Sequence, residues 1–351
     1  MLCFCLKITM QRKEAVSRKT ACVKTYHHIE RIKIISKGIQ MINQKIFALG
    51  ALVSVGLLTG CGASTSATSA STATLPSGVA ASFSQATTKW SDVSNGGNTV
   101  TAQGFTSEAT FVRNTSTAAA PVIDTTGEVK INYDSSGKIS GFSIKNNHVD
   151  LTWTDGFKTN IRDPSLTVTD GDEADGMIYD PEVTSPWDYQ TMATWVLTDE
   201  SAGTGRMGAI SVGNHNAVSI PTTSSATFSG KAEGIYLDDA HKFHGVSSDA
   251  ALTADFVNKT VSFATSNSKI HDLEYKNADQ SKPDLDLTGT FSYSSAGNNL
   301  TASSLTSTTS SWTGGTASAK FYGPNAEEIG GVFSIRGTGK EAYEGAFGAK
   351  Q

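Results

Sequence analysis

The sequence predicts an all-β protein: a β-rich N-terminal domain, then eight short antiparallel strands that close into a barrel or pair as a sandwich. Three observations carry this. The 351-residue chain is rich in glycine, serine and threonine and holds no long apolar stripe of helical period beyond its first sixty residues. Short runs of alternating apolar and polar residues dominate from residue 128 and become regular from about 225. Glycines sit inside these runs, at Gly230, Gly234, Gly289 and Gly345, where closing strands bend.

The first sixty residues are a targeting segment. Lys45 precedes an apolar run from Ile46 to Leu58. The run is too short for the roughly 20 residues that span a bilayer but suits the apolar region of a secretory signal. It ends in Leu58, Thr59, Gly60 and Cys61, a bacterial lipobox: a branched residue, two small residues that fit a peptidase cleft, and a thiol for diacylation. Cys61 is therefore the expected lipidated N-terminus. Gly62 follows it, so no aspartate there signals retention at an inner membrane. Residues 1–40 carry Cys3, Cys5 and Cys22 among many basic side chains, and a clean signal starts at Met41, which fits an over-extended start. One cysteine remains in the mature chain, and acylation of it leaves no disulfide.

Removing residues 1–60 takes ten of the 28 basic and two of the 33 acidic side chains, so the mature chain carries a net charge of −13. Such a chain repels nucleic acid and anionic lipid, which excludes both as direct partners, and suits a basic patch on a partner protein. Residues 61–78 form the lipidated tether. GASTSATSASTATLPSG has too little apolar surface to fold, and seventeen such residues span roughly 23 Å root-mean-square.

The N-terminal domain is placed at 79–200. EVKINYDSSGKISGFSI (128–144) is a hairpin around Asp134 to Gly137, VDLTWTDGF (149–157) alternates, 162–186 is an irregular acidic loop, and DYQTMATWVL (188–197) starts a new strand. The C-terminal domain is placed at 201–351, with strands at 226–237, 251–257, 259–265, 285–293, 298–305, 315–323, 329–337 and 342–350. Phe228, Tyr236, Phe256, Phe263, Phe291, Phe321, Phe333 and Phe347 are its expected filling. The strands are too polar outside for a transmembrane barrel. Near the end, Gly323-Pro324 marks a turn, and Ala326 to Ile329 are expected to make about one helical turn before Gly330-Gly331 releases the chain.

FYGPNAEEIGGVF (321–333) followed by EGAFGAK (344–350) resembles the closing strands of the transferrin-binding protein B barrel family, surface lipoproteins exported with surface lipoprotein assembly modulators. YQTMATWVL (189–197) and IPTTSSATFSGKAEGIY (220–236) are similar to further family stretches, although Met192-Ala193 departs from the family's Phe-Gly. The resemblance implies a barrel rather than a sandwich, preceded by a β-rich handle, in a single lobe. It implies a structural role for Phe321, Tyr322, Gly323, Pro324, Glu327, Gly330, Gly331, Phe333, Phe347 and Gly348. The aromatics at 321, 322, 333 and 347 would fill the barrel, and Gly323-Pro324 and Gly330-Gly331 would turn its corners. It further implies an outer-membrane lipoprotein facing the cell surface, binding a host protein such as an iron carrier, with an outer-membrane transporter as partner. Immune evasion by binding a complement regulator, and direct haem binding, are the alternatives.

Candidate contact residues follow from side-chain chemistry. His241 and His244, in HKFHG, pair imidazoles that are able to ligate haem iron, or else belong to a polar barrel loop. Trp187 and Trp312 are either interface anchors or packing residues. DGDEADG (170–176) clusters carboxylates but puts Ala174 and Pro181 where a calcium loop needs ligands, so it reads as an acidic loop. No nucleophile elbow, phosphate loop or zinc-protease helix occurs, and no enzyme is expected. The ligand contacts are expected on loops 238–250, 266–284 and 306–314.

Overall fold

The computed structural model describes residues 79–94, 96–112, 122–154, 157–159, 165–170, 174–179, 186–199, 203–273, 279–295, 297–308, 312, 314–337, 339 and 341–351. The lipobox residues Leu58, Thr59, Gly60 and Cys61 lie outside them. The first domain comprises β1 (Val79–Ala81), helix α1 (Trp90–Val93), β2 (Asn98–Val112), β3 (Val122–Tyr133), β4 (Ile139–Lys145), β5 (Asp150–Trp153), β6 (Lys158–Thr159), β7 (Ser165–Asp170), β8 (Ala174–Tyr179), β9 (Gln190–Asp199) and β10 (Thr204–Gly213). The second comprises β11 (Ser225–Leu237), β12 (Phe243–Asp255), β13 (Thr260–His271), β14 (Gln280–Ser281), β15 (Leu287–Ser292), β16 (Leu300–Ser307), β17 (Gly315–Tyr322), β18 (Glu328–Arg336) and β19 (Ala342–Lys350). Among the described residues, no helix is long and apolar enough to cross a membrane.

The handle is one ten-stranded sheet in the order β5-β4-β3-β2-β10-β9-β8-β7-β6, with β1 parallel to β2. Its register gives β2 two roles. Residues 99–108 pair with β3 (Val100 opposite Ile131) and residues 104–112 pair with β10 (Ala109 opposite Met207). The sheet curls until the Trp153 ring of β5 lies over Gly176 of β8, so close that a Cβ there would sit 2.9 Å from it. Trp90, Ile131, Phe142, Trp153, Trp195 and Ile210 fill the concave side.

In the second domain, β11-β12-β13-β15-β16-β17-β18-β19 pair in sequence and β19 returns to β11, which closes an eight-stranded antiparallel barrel. All eight aromatic side chains expected to fill it lie in one buried cluster. Period-2 alternation is kept on β19: Tyr343, Phe347 and Ala349 point inward, whereas Ala342 and Ala346 point at the handle.

Four expectations change. First, β10 belongs to the handle sheet, so the domains change over at 214–224 rather than at 200. Its burial is continuous from Met207 to Gly213 because one face meets the handle core and the other the barrel. Second, no helical turn occupies 326–329; the chain turns at 323–326, with Gly323 at φ 81° and Ala326 at φ 60°, and Ile329 is already in β18. Third, Gly330 and Gly331 are mid-strand, not at a corner. Fourth, Tyr322 is fully buried but outside the barrel filling, packed edge-on to His215 at 6.3 Å where handle meets barrel.

Gly330 shows why that seam needs glycine. A Cβ there would lie 1.7 Å from Oε1 of Gln190, whose Nε2 donates to the carbonyls of Ile329 (3.0 Å) and Ala349 (3.3 Å). Gly330→Ala should therefore displace Gln190 and cost about 1–3 kcal/mol, read as a thermal midpoint lower by several degrees. An unchanged midpoint would show that Gln190 re-pairs without loss.

Candidate functional site

Antiparallel pairing puts the loops of the barrel at two ends. One end carries 238–242, 272–286, 308–314 and 337–341; the other carries 214–224, 256–259, 293–299 and 323–327. The three predicted contact loops all fall at the first, here called the loop end. They are shorter than expected, because 243–250 is already β12 and 266–271 is still β13.

Tyr236, near the end of β11, organises the loop end. His244 stacks on its ring (5.8 Å, interplanar 26°), and Trp312 lies 5.7 Å from it on another side. Lys282 Nζ stands 5.7 Å over the same ring. The phenol donates to Glu341 Oε1 at 2.6 Å, and His244 Nε2 donates to Asp238 Oδ2 at 3.0 Å. Burial and the Glu341 contact push the Tyr236 phenol far up, so it stays a proton donor. Burial raises the Asp238 carboxyl, but the bonds from His244 and the Lys242 backbone outweigh it and hold it below its ordinary value. Tyr236→Phe removes the donor from Glu341 and should cost about 1.5–3 kcal/mol, measurable by denaturant titration.

The structure thus brings two of the predicted contact residues together and separates the others. His244 and Trp312 share the Tyr236 ring, but Trp312 is buried and serves as a plug rather than an exposed anchor. Of the two readings its Ser/Thr/Gly surroundings left open, the structure takes packing, with the ring in the barrel cluster. His241 sits in the turn 238–242 at φ 59°, with its backbone N–H on Asp238 O. The Nε2 atom of His244 is engaged by Asp238. Trp187 is buried at the handle–barrel seam, against Tyr179 and Gly348, far in the fold from the loop end. Residues 171–173 of the acidic DGDEADG stretch lie outside the described residues, while Ala174 to Gly176 are strand. Among the described residues, no group of three or more metal-ligating side chains forms.

Sequence reading missed Tyr236, Lys282 and Glu341 as one cluster. It also missed a second polar cluster on the handle, at the same end as the barrel's loop end. There the buried Glu108 accepts from Arg206 Nη1 (2.6 Å), Asn146 Nδ2 (3.0 Å) and His148 Nδ1 (2.9 Å). Phe111 and Phe243, 4.9 Å apart, join the two domains at this end. A cavity of ≈ 20 Å³ lies on the seam, lined by Asp175, Trp195, Glu233 and His271 among others, with room for about one water.

The remaining family-motif residues lie at the opposite end. Glu327 accepts from the backbone and side-chain nitrogens of Asn325, fixing the turn after Pro324. Glu328, which reaches into the seam, accepts from the backbone N–H groups of Asp188 (2.5 Å) and Tyr189 (3.1 Å). Burial pushes its carboxyl up to about 7, with Asp188 adding and these two hydrogen bonds and Lys350 opposing. A folded-state value above the unfolded one means that this group stabilises least when ionised. Its contribution falls as pH rises from about 4.5 to 7, by up to an order of 3 kcal/mol. The stability difference between wild type and Glu328→Gln should therefore change across that window and level off above it; a pH-independent difference would remove the linkage.

A closed barrel joined to a curled β handle defines a rigid scaffold for presenting contacts. Residues 220–351 match the family described as the C-lobe and N-lobe beta barrels of Tf-binding protein B. The barrel of this chain is thus similar to the barrels of the transferrin-binding protein B-like family. Solved structures similar to the chain include a transferrin-binding protein B variant from Haemophilus parasuis Hp5 (13% identity, 66% of this chain, 54% of that chain, TM-score 0.37). Others are the isotype 1 transferrin-binding protein B of serogroup B Neisseria meningitidis (18% identity, 66% of this chain, 44% of that chain, TM-score 0.37) and a surface lipoprotein (14% identity, 71% of this chain, 98% of that chain, TM-score 0.37). The chain spans about half the length of the transferrin-binding protein B structures it matches. No match was found among curated protein sequences.

Proposed function

We propose that the protein is a lipid-anchored surface lipoprotein of a Gram-negative outer membrane that binds a host iron or haem carrier through the loop end. The observation that supports this most is the match of residues 220–351 to a barrel family described for transferrin-binding proteins, together with a loop end set up for contact. The Tyr236 cluster fixes the loop bases, while Asp239, Ala240 and Lys242 stay exposed beside it. Rigid loops lose little entropy on binding, which favours protein recognition over chemistry. In this reading Cys61 carries the acyl chains, a surface lipoprotein assembly modulator exports the protein, and an outer-membrane transporter receives the cargo. The protein acts as a binder rather than an enzyme.

The test is direct binding of transferrin, haemoglobin and haptoglobin to the immobilised mature chain, with a parallel measurement on the Asp239→Lys/Lys242→Glu variant. Binding of one carrier that the double variant weakens at least tenfold is the expected result. Binding of a complement regulator and of no carrier would move the protein to immune evasion. Co-purification of a haem chromophore would instead revive a direct haem site.

A further inference from the structure

Three of the less exposed cations each meet a carboxylate: Arg206 reaches Glu108 at 2.6 Å, Lys282 reaches Asp284 at 2.6 Å, and Arg336 reaches Glu344 at 2.5 Å. Lys320 of β17, also half-buried, does not. Its Nζ donates to the side-chain carbonyl Oδ1 of Asn299 at 2.7 Å and stands 5.0 Å over the Phe105 ring of the handle. Burial holds this ammonium's pKa below its ordinary value, and no carboxylate among the described residues opposes that. Packing on Phe105 accounts for the aliphatic stem. It does not account for a desolvated cation without a counter-charge in a mature chain of net charge −13.

A second group that can carry positive charge stands beside it. Tyr322 lies two residues on from Lys320, so strand alternation puts both on one face of β17. His215, just after β10, packs edge-on against Tyr322 with ring centroids 6.3 Å apart. In the neutral ring its Nδ1–H donates to Gly213 O at 3.1 Å, which leaves Nε2 without a hydrogen bond among the described residues. Burial and the Lys320 charge both lower the His215 pKa, with only the Gly213 contact opposing. Tyr322 is the other titratable group against the imidazole; burial pushes its phenol far up, so it stays neutral. Two centres that disfavour one another's charge thus lie together where handle meets barrel, and no carboxylate acts on either.

We infer that Lys320, Asn299 and His215 form a binding site for a small oxyanion, a carboxylate or a phosphate, held at the joint between handle and barrel. Asn299 uses one of the ammonium's donors and leaves the rest for a ligand. Because Asn299 fixes the ammonium without a charge, the positive charge stays uncancelled until an anion arrives. His215 then takes up a proton from solvent, and its Nε2–H adds a charge-assisted donor to the same oxyanion. The anion supplies the missing counter-charge and screens the repulsion between ammonium and imidazolium. The site lies away from the loop end and does not depend on which partner binds there.

The test is NMR of the histidine-labelled mature chain, with the His215 resonance assigned by His215→Gln. Inorganic phosphate and acetate are titrated separately, and sodium chloride holds the ionic strength constant. Either anion is expected to raise the His215 midpoint saturably, by about one pH unit, and to leave those of His241 and His244 in place. A response to only one of the two assigns the site to that oxyanion. Lys320→Met keeps the stem without the charge and should weaken the response about tenfold or more, whereas Lys320→Arg should retain it. In chloride alone Lys320→Met should raise the His215 midpoint, because a like charge is gone. An unmoved midpoint there would show that the two groups share no site and would overturn the proposal. So would the absence of a saturable response to either anion, or an equal response in Lys320→Met.

Discussion

Trp187→Ala should cost about 3–5 kcal/mol, the range for deleting a fully packed large aromatic side chain, and should loosen the handle from the barrel. The Trp187 ring is buried with Phe105, Met177, Tyr179 and Met192 of the handle and Val332 and Ala346 of the barrel. It lies so close to Gly348 that a Cβ there would meet the ring at 2.8 Å. Gly348→Ala alone should therefore also destabilise, by about 1–3 kcal/mol, because neither strand nor ring has room to give. In the Trp187→Ala background the same methyl enters the cavity, and its effect should turn neutral or favourable. Denaturant titrations of the four proteins in this cycle measure the coupling. Additive costs would show that Trp187 does not seat on Gly348. Amide exchange should concentrate the loosening on β9, β18 and β19, the strands that carry the seam.

What was legible in the sequence follows from how far each signal reaches along the chain. All eight barrel strands were legible because each carries its own period-2 pattern and a short polar turn, both local properties. The filling was legible for the same reason, since Phe228, Phe263 and Phe347 each stand at the apolar phase of such a pattern. β10 was not, because a strand covered on both faces loses its alternation; RMGAISVG offers no polar side to find. The seam glycines were visible as motif residues, but their purpose was not. Gly330 answers to Gln190 and Gly348 to Trp187, partners about 140 and 160 residues away. The loop-end cluster fails to read for the same reason: Tyr236 and its acceptor Glu341 are 105 residues apart, and nothing in either neighbourhood marks the pair. Trp312 could be read either way because only serine, threonine and glycine surround it in sequence, whereas in space it meets Tyr236.

Arg336→Ala should also cost about 3–5 kcal/mol, because it strands a carboxylate in the protein interior. Glu344 is fully buried on the handle-facing side of β19; its Oε1 accepts from Arg336 Nη1 at 2.5 Å and from Ser334 Oγ at 2.6 Å. Burial pushes its carboxyl up even with Arg336 and Ser334 opposing, so desolvation outweighs attraction in the balance between them. Removing the guanidinium tips that balance further. The penalty should be largest at and above neutral pH, where the lone carboxylate must ionise or unfold. It should shrink on acidification, because a protonated Glu344 folds without its partner. Glu344→Gln placed on Arg336→Ala should recover most of the lost stability at pH 8 and little at pH 5. Stability curves for the single and double variants at the two pH values decide this. A penalty of the same size at both, unrelieved by Glu344→Gln, would mean that Arg336 contributes packing along its aliphatic stem rather than charge.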